Sequence, residues 1–121
     1  MGIAALTPML HVKEVSRSIA FYERLGFTVR STVAPPDATE PVWAWLTSGE
    51  AQLMVTLANG PVAADQQAVL LYLYCTDVDG FRTELLGKGL APGAVTRPFY
   101  APRGEFRLED PDGYVLMVSH T

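Results

Sequence analysis

A chain of 121 residues with 49% hydrophobic and 18% charged side chains has enough apolar surface for one self-supporting core, which excludes general disorder. Lys and Arg number 9 against 13 Asp and Glu, a net charge of −4, and no basic run stands ready to neutralise phosphates, so no nucleic-acid partner is expected. The single cysteine, Cys75, excludes an intrachain disulfide framework. The longest apolar run, 68–75, falls far short of the roughly 20 residues that cross a bilayer. The opening MGIAALTPML lacks the basic start of a signal peptide, so the expectation is a cytoplasmic protein with no membrane partner.

The elements follow in chain order. Met9–Val12 is short and apolar and reads as a strand. Val15, Ile19, Tyr22 and Leu25 then recur at steps of three and four, which predicts a helix. Ser16 offers an N-cap, and Gly26 closes the helix in the left-handed conformation that glycine reaches most cheaply. Three strand-like runs lie near 27–34, 42–48 and 52–58, and the polar, Gly- and Pro-containing stretch 59–67 reads as a linker. Beyond it come a strand over 69–75 and a helix carrying Val78, Phe81 and Leu85, with Asp77 as N-cap and Gly89 as its close. Strands are expected near 95–99, 105–109 and 114–119, the last two joined by the turn Asp110-Pro111-Asp112-Gly113.

This order repeats itself. Shifted by 63 positions, Leu53-Met54-Val55 falls on Leu116-Met117-Val118, Gly26 on Gly89, Pro35 on Pro98 and Trp43 on Phe106. The expected fold is therefore α+β: two tandem βαβββ modules, about 1–58 and 68–121, forming one domain over 1–121 with 59–67 between them. One helix covers one face of each module's sheet and leaves the other face open.

The segments VKEVSRSIAFYERLGF (12–27) and GEFRLEDPDGYVLMV (104–118) carry a resemblance. Together with the repeated module, they resemble the glyoxalase/bleomycin-resistance/extradiol-dioxygenase superfamily, also called vicinal oxygen chelate; Glu14 stands where the family pattern has Asp. The resemblance implies curved sheets around a shared cavity, completed in a homodimer that can exchange modules. It also implies where metalloenzymes of the family place His or Glu, and these positions fall on Thr7, Met54, Leu70 and Met117. None suits a divalent ion, which prefers imidazole, carboxylate or thiolate. No metal, no other cofactor and no catalytic residue is therefore expected.

With those positions facing inward, strand alternation places Thr7, Met9 and His11 in the cavity, with Gln52, Met54 and Thr56, Leu70, Tyr72 and Tyr74, and Val115, Met117 and Ser119. Trp43 and Trp45 share a face and are assigned there as well. Cys75 turns toward the helix layer. Glu105 and Glu109 are expected to be solvated, and His120 to fray with the tail. Loops 34–41 and 97–104 would cap the cavity, the second carrying Phe99, Tyr100 and Arg103. The candidate ligand-binding residues are His11, Trp43, Trp45, Met54, Tyr72, Tyr74, Phe99, Tyr100 and Met117.

The hairpin GEFRLEDPDG and the strand Leu71-Tyr72-Leu73-Tyr74 resemble the bleomycin-resistance type within the superfamily. This implies a metal-free small-molecule-binding protein that sequesters an aromatic or cationic glycopeptide-type compound. The alternative from the same superfamily is a glyoxalase-like lyase or isomerase that uses His11 as a base.

Overall fold

Alternation and helical periodicity build the first unit of the computed structural model, which describes residues 1–121 with side-chain surroundings for all but Ala64. Strand β1 (Met9–Val12) buries Leu10 and Val12 and exposes Met9 and His11. Helix α1 (Val15–Leu25) buries Val15, Ser18, Phe21, Tyr22 and Leu25 along one stripe. It ends at Gly26, where φ is 113°, and the Phe27 N–H reaches back to the Tyr22 carbonyl at 2.9 Å. Strands β2 (Thr28–Val33), β3 (Trp43–Ser48) and β4 (Ala51–Leu57) complete a sheet of order β1-β4-β3-β2, with β1 parallel to β4 and the other pairs antiparallel. Helix α1 packs on β2, β3 and β4. Leu10, Val12, Ala44, Leu46, Leu53 and Val55 form the buried sheet face of this unit.

The contacts divide the chain into two compact units, Met1–Val62 and Ala63–Thr121. In the second, β5 (Leu70–Cys75), α2 (Val78–Gly87), β6 (Glu105–Glu109) and β7 (Val115–His120) give a sheet of order β5-β7-β6. Strand β5 runs parallel to β7 and β6 antiparallel to it. The Asp77 side chain accepts the Gly80 N–H at 2.9 Å and caps α2. Phe106, Leu108, Leu116 and Val118 are buried, and α2 packs on the two strands that carry them.

Three expectations need correction. Ser16 is not the N-cap of α1: Glu14 holds that position without a side-chain cap bond, and the Ser16 hydroxyl donates instead to the Glu40 carboxylate. The strand expected near 95–99 does not form. Only Thr96 bridges to Glu105, and Gly93 donates to the Arg107 carbonyl at 2.8 Å. Pro92 and Pro98 lack the N–H that a continuous ladder needs, so the stretch touches β6 at intervals. The repeat also slips by one residue in β6. Trp43 pairs with Thr56 across the first sheet, yet the residue opposite Ser119 is Glu105, not Phe106. Phe106 therefore joins the helix side, and Glu105 takes the place that Trp43 holds in the first unit.

Entry into β6 depends on Gly104. Its φ is 102°, and a Cβ there would sit 2.9 Å from Val95 Cγ1. Gly104→Ala is expected to lower stability by about 1–3 kcal/mol through backbone strain and that contact, which a denaturant midpoint will measure.

Candidate functional site

The uncovered face of the first sheet is built by alternation. Met9 pairs with Met54 and His11 with Thr56, while Trp45 pairs with Met54 and Trp43 with Thr56. Paired residues share a face, so His11, Trp43, Trp45 and Met54 stand together on the side away from α1. Trp43, Trp45 and Met54 are half-buried and His11 is exposed. Just outside β1, the Thr7 hydroxyl donates to Gln52 Oε1 at 3.4 Å.

The uncovered face of the second sheet carries Tyr72, Tyr74, Met117, Ser119 and Glu105. The Tyr72 and Tyr74 rings stack with centroids 6.1 Å apart and planes 28° apart. Loop residues Phe99 and Tyr100 meet edge to face at 5.5 Å, and Phe99 is 96% exposed. The site residues expected from the sequence thus fall into a first-unit group and a second-unit group, each on one sheet face or on the loop beside it.

The group that sequence reasoning missed is Glu105. It was expected in water but is only 2% exposed. Its carboxylate accepts the Tyr72 hydroxyl at 3.3 Å and the Tyr100 hydroxyl at 2.7 Å. Such charge-assisted bonds offset the desolvation of a buried carboxylate. His120 also departs from expectation. It does not fray but ends β7 opposite Cys75, with its Nδ1 2.7 Å from the Thr121 carbonyl oxygen. Burial pushes the half-buried Cys75 thiol up, which keeps it protonated and unreactive at neutral pH.

The same carboxylate governs two phenols. The bond that Tyr100 donates to Glu105 pushes its pKa up to about 12, and desolvation adds to this. Tyr72 is raised above 10.0 by desolvation and then by the Glu105 charge. The folded chain therefore holds these protons at a pH where the unfolded chain releases them. This source contributes stability below about pH 10, and the contribution is lost as pH rises toward about 12. Phenolate absorbance is expected to show at least two of the five tyrosines ionising late, and Glu105→Gln to bring Tyr100 back toward its ordinary value.

Residues 3–118 match the family model of the Glyoxalase/Bleomycin resistance protein/Dioxygenase superfamily. The chain belongs to this superfamily. No curated protein matches it. Among solved structures it is similar to a bleomycin-binding protein complexed with bleomycin, at 22% identity and TM-score 0.78 over 98% of this chain and 99% of that one. It is similar to a bleomycin resistance determinant encoded on the transposon Tn5, at 22% identity and TM-score 0.80 over 98% of each chain. A bleomycin-binding protein from bleomycin-producing Streptomyces verticillus, complexed with copper(II)-bleomycin, matches at 19% identity and TM-score 0.74 over 100% of this chain and 98% of that one. At these identities the likeness is one of fold.

Superfamily membership raises the question of a metal. The positions that the resemblance assigns to its ligands hold Thr7, Met54, Leu70 and Met117. Among the described residues, no group of three or more His, Cys, Asp or Glu is placed to hold an ion. A hydroxyl, an alkyl side chain and two thioethers do not fit a hard or borderline divalent cation.

Proposed function

We propose that this protein binds and sequesters an aromatic or cationic glycopeptide-type compound of the bleomycin kind, without metal, cofactor or catalysis. The observation that supports it is the pair of open sheet faces. One offers Trp43 and Trp45, the other the stacked Tyr72 and Tyr74 above the buried Glu105 carboxylate. Flat aromatic side chains give large contact area to a planar ligand. A carboxylate and a net charge of −4 favour a cationic one. Phe99 and Tyr100 would close over the ligand, with His11 as a polar contact and Met54 and Met117 as adaptable apolar lining.

The same reading makes the protein a homodimer that can exchange modules, acting in the cytoplasm. Met9, Val33, Leu57, Leu70 and Tyr74 are exposed apolar side chains that a second copy would cover. No helix among the described residues is long and apolar enough to cross a membrane.

Tryptophan fluorescence tests the reading. Titration with metal-free bleomycin is expected to give saturable quenching that survives chelator and weakens with salt. No quenching at any concentration would remove bleomycin as the ligand, and product formation from it would remove sequestration.

A further inference from the structure

We propose that a cleft of about 230 Å³ between loop residues 100–103 and the end of β7 binds a small organic carboxylate, anchored by Arg103. Tyr100, Ala101 and Pro102 form one wall, and Ser119, His120 and Thr121 stand on the other. The site needs no bleomycin-type ligand and goes beyond the reading above, although Tyr100 belongs to both.

Charge carries the argument. Other arginines of this acidic chain have oxygen partners. Arg97 pairs with Asp79 at 2.8 Å, Arg107 with Glu109 at 2.9 Å and Arg17 with Glu14 at 3.7 Å. Arg30 donates to Thr47 and Arg82 to the Gly93 carbonyl. Among the described residues, Arg103 has no carboxylate partner: its contact is His120 Nε2, 3.5 Å from its Nη1. His120 Nδ1 lies 2.7 Å from the Thr121 carbonyl oxygen, and a neutral ring with its proton on that nitrogen presents the Nε2 lone pair to Arg103. That contact uses one of five guanidinium donors and steadies the group, leaving the others for a bidentate anion.

The surroundings set the ligand's class. Glu105 lies opposite Ser119 across the sheet, but its carboxylate is turned to the hydroxyls of Tyr72 and Tyr100. The Tyr100–Pro102 wall supplies apolar contact. The volume is below the roughly 300–1,000 Å³ of pockets for drug-sized ligands. A single carboxylate on a small aromatic or short aliphatic body fits these features.

Benzoate is the probe, with benzamide as its neutral isostere and inorganic phosphate as an anion without an apolar body. Amide and imidazole NMR signals of the full chain report binding. Benzoate is expected to shift Arg103, Ser119 and His120 saturably, benzamide to leave them unmoved and phosphate to bind at least tenfold more weakly. Arg103→Gln should weaken benzoate at least tenfold, and Arg103→Lys should recover only part of that loss, because lysine lacks the fork. Equal shifts from benzoate and benzamide, or undiminished binding in Arg103→Gln, would overturn the proposal. Bleomycin titrated into the same samples keeps the two readings apart, since failure with benzoate alone leaves sequestration standing.

Discussion

Truncating Leu46 to alanine is expected to cost about 2–5 kcal/mol of stability, whereas truncating its neighbour Trp45 should cost about 1–2 kcal/mol and remove most ligand binding. The two side chains are adjacent in β3 and point to opposite faces. Leu46 is 0% exposed, on the face that α1 covers. Removing its branched end leaves a cavity that the packed helix cannot fully close. Trp45 is half-buried beside Met54 on the uncovered face, so its loss gives up some cross-strand contact but opens no sealed void. Denaturant melts and bleomycin titrations of both variants separate the roles. Equal stability losses with unchanged affinity would show that the open face is only structural.

Glu105→Gln should weaken metal-free bleomycin by roughly tenfold to a hundredfold while the chain stays folded. Glutamine keeps the shape but removes the charge beneath the aromatic face. The amide nitrogen also cannot accept a phenolic proton, so one of the hydroxyls now directed at Glu105 must turn away. The affinity loss should shrink as salt is raised, because the wild-type attraction is itself screened. An unchanged affinity at low salt would remove Glu105 from the site.

Much of this was legible in the sequence because the signals were periodic. The steps of three and four in 15–25, the glycine at Gly26 and the Asp77 cap each state a local preference that the packing then uses. Parity put Met9, His11, Met54, Tyr72, Tyr74 and Met117 on uncovered faces, since a strand with one buried face permits only one register. What was not legible depended on non-local pairing. An ungapped repeat matches Trp43 to Phe106, whereas the pairing of β6 with β7 puts Glu105 in that place, buried rather than solvated. The slip arises because Ser48 pairs with Ala51 across a short hairpin, whereas Glu109 and Val115 flank a longer turn held by Asp110. Strand propensity likewise suggested a ladder near 95–99, but the prolines there break it. Parity applied to β6 from its own pairing with β7 would have found Glu105.

The most direct measurement of the central claim is calorimetric titration of metal-free bleomycin into the protein in excess chelator, followed by recovery of the ligand from the denatured complex. The account predicts saturable binding with the chelator present and bleomycin recovered chemically unchanged. Binding that vanishes with chelator, or a recovered ligand that has been altered, would contradict it.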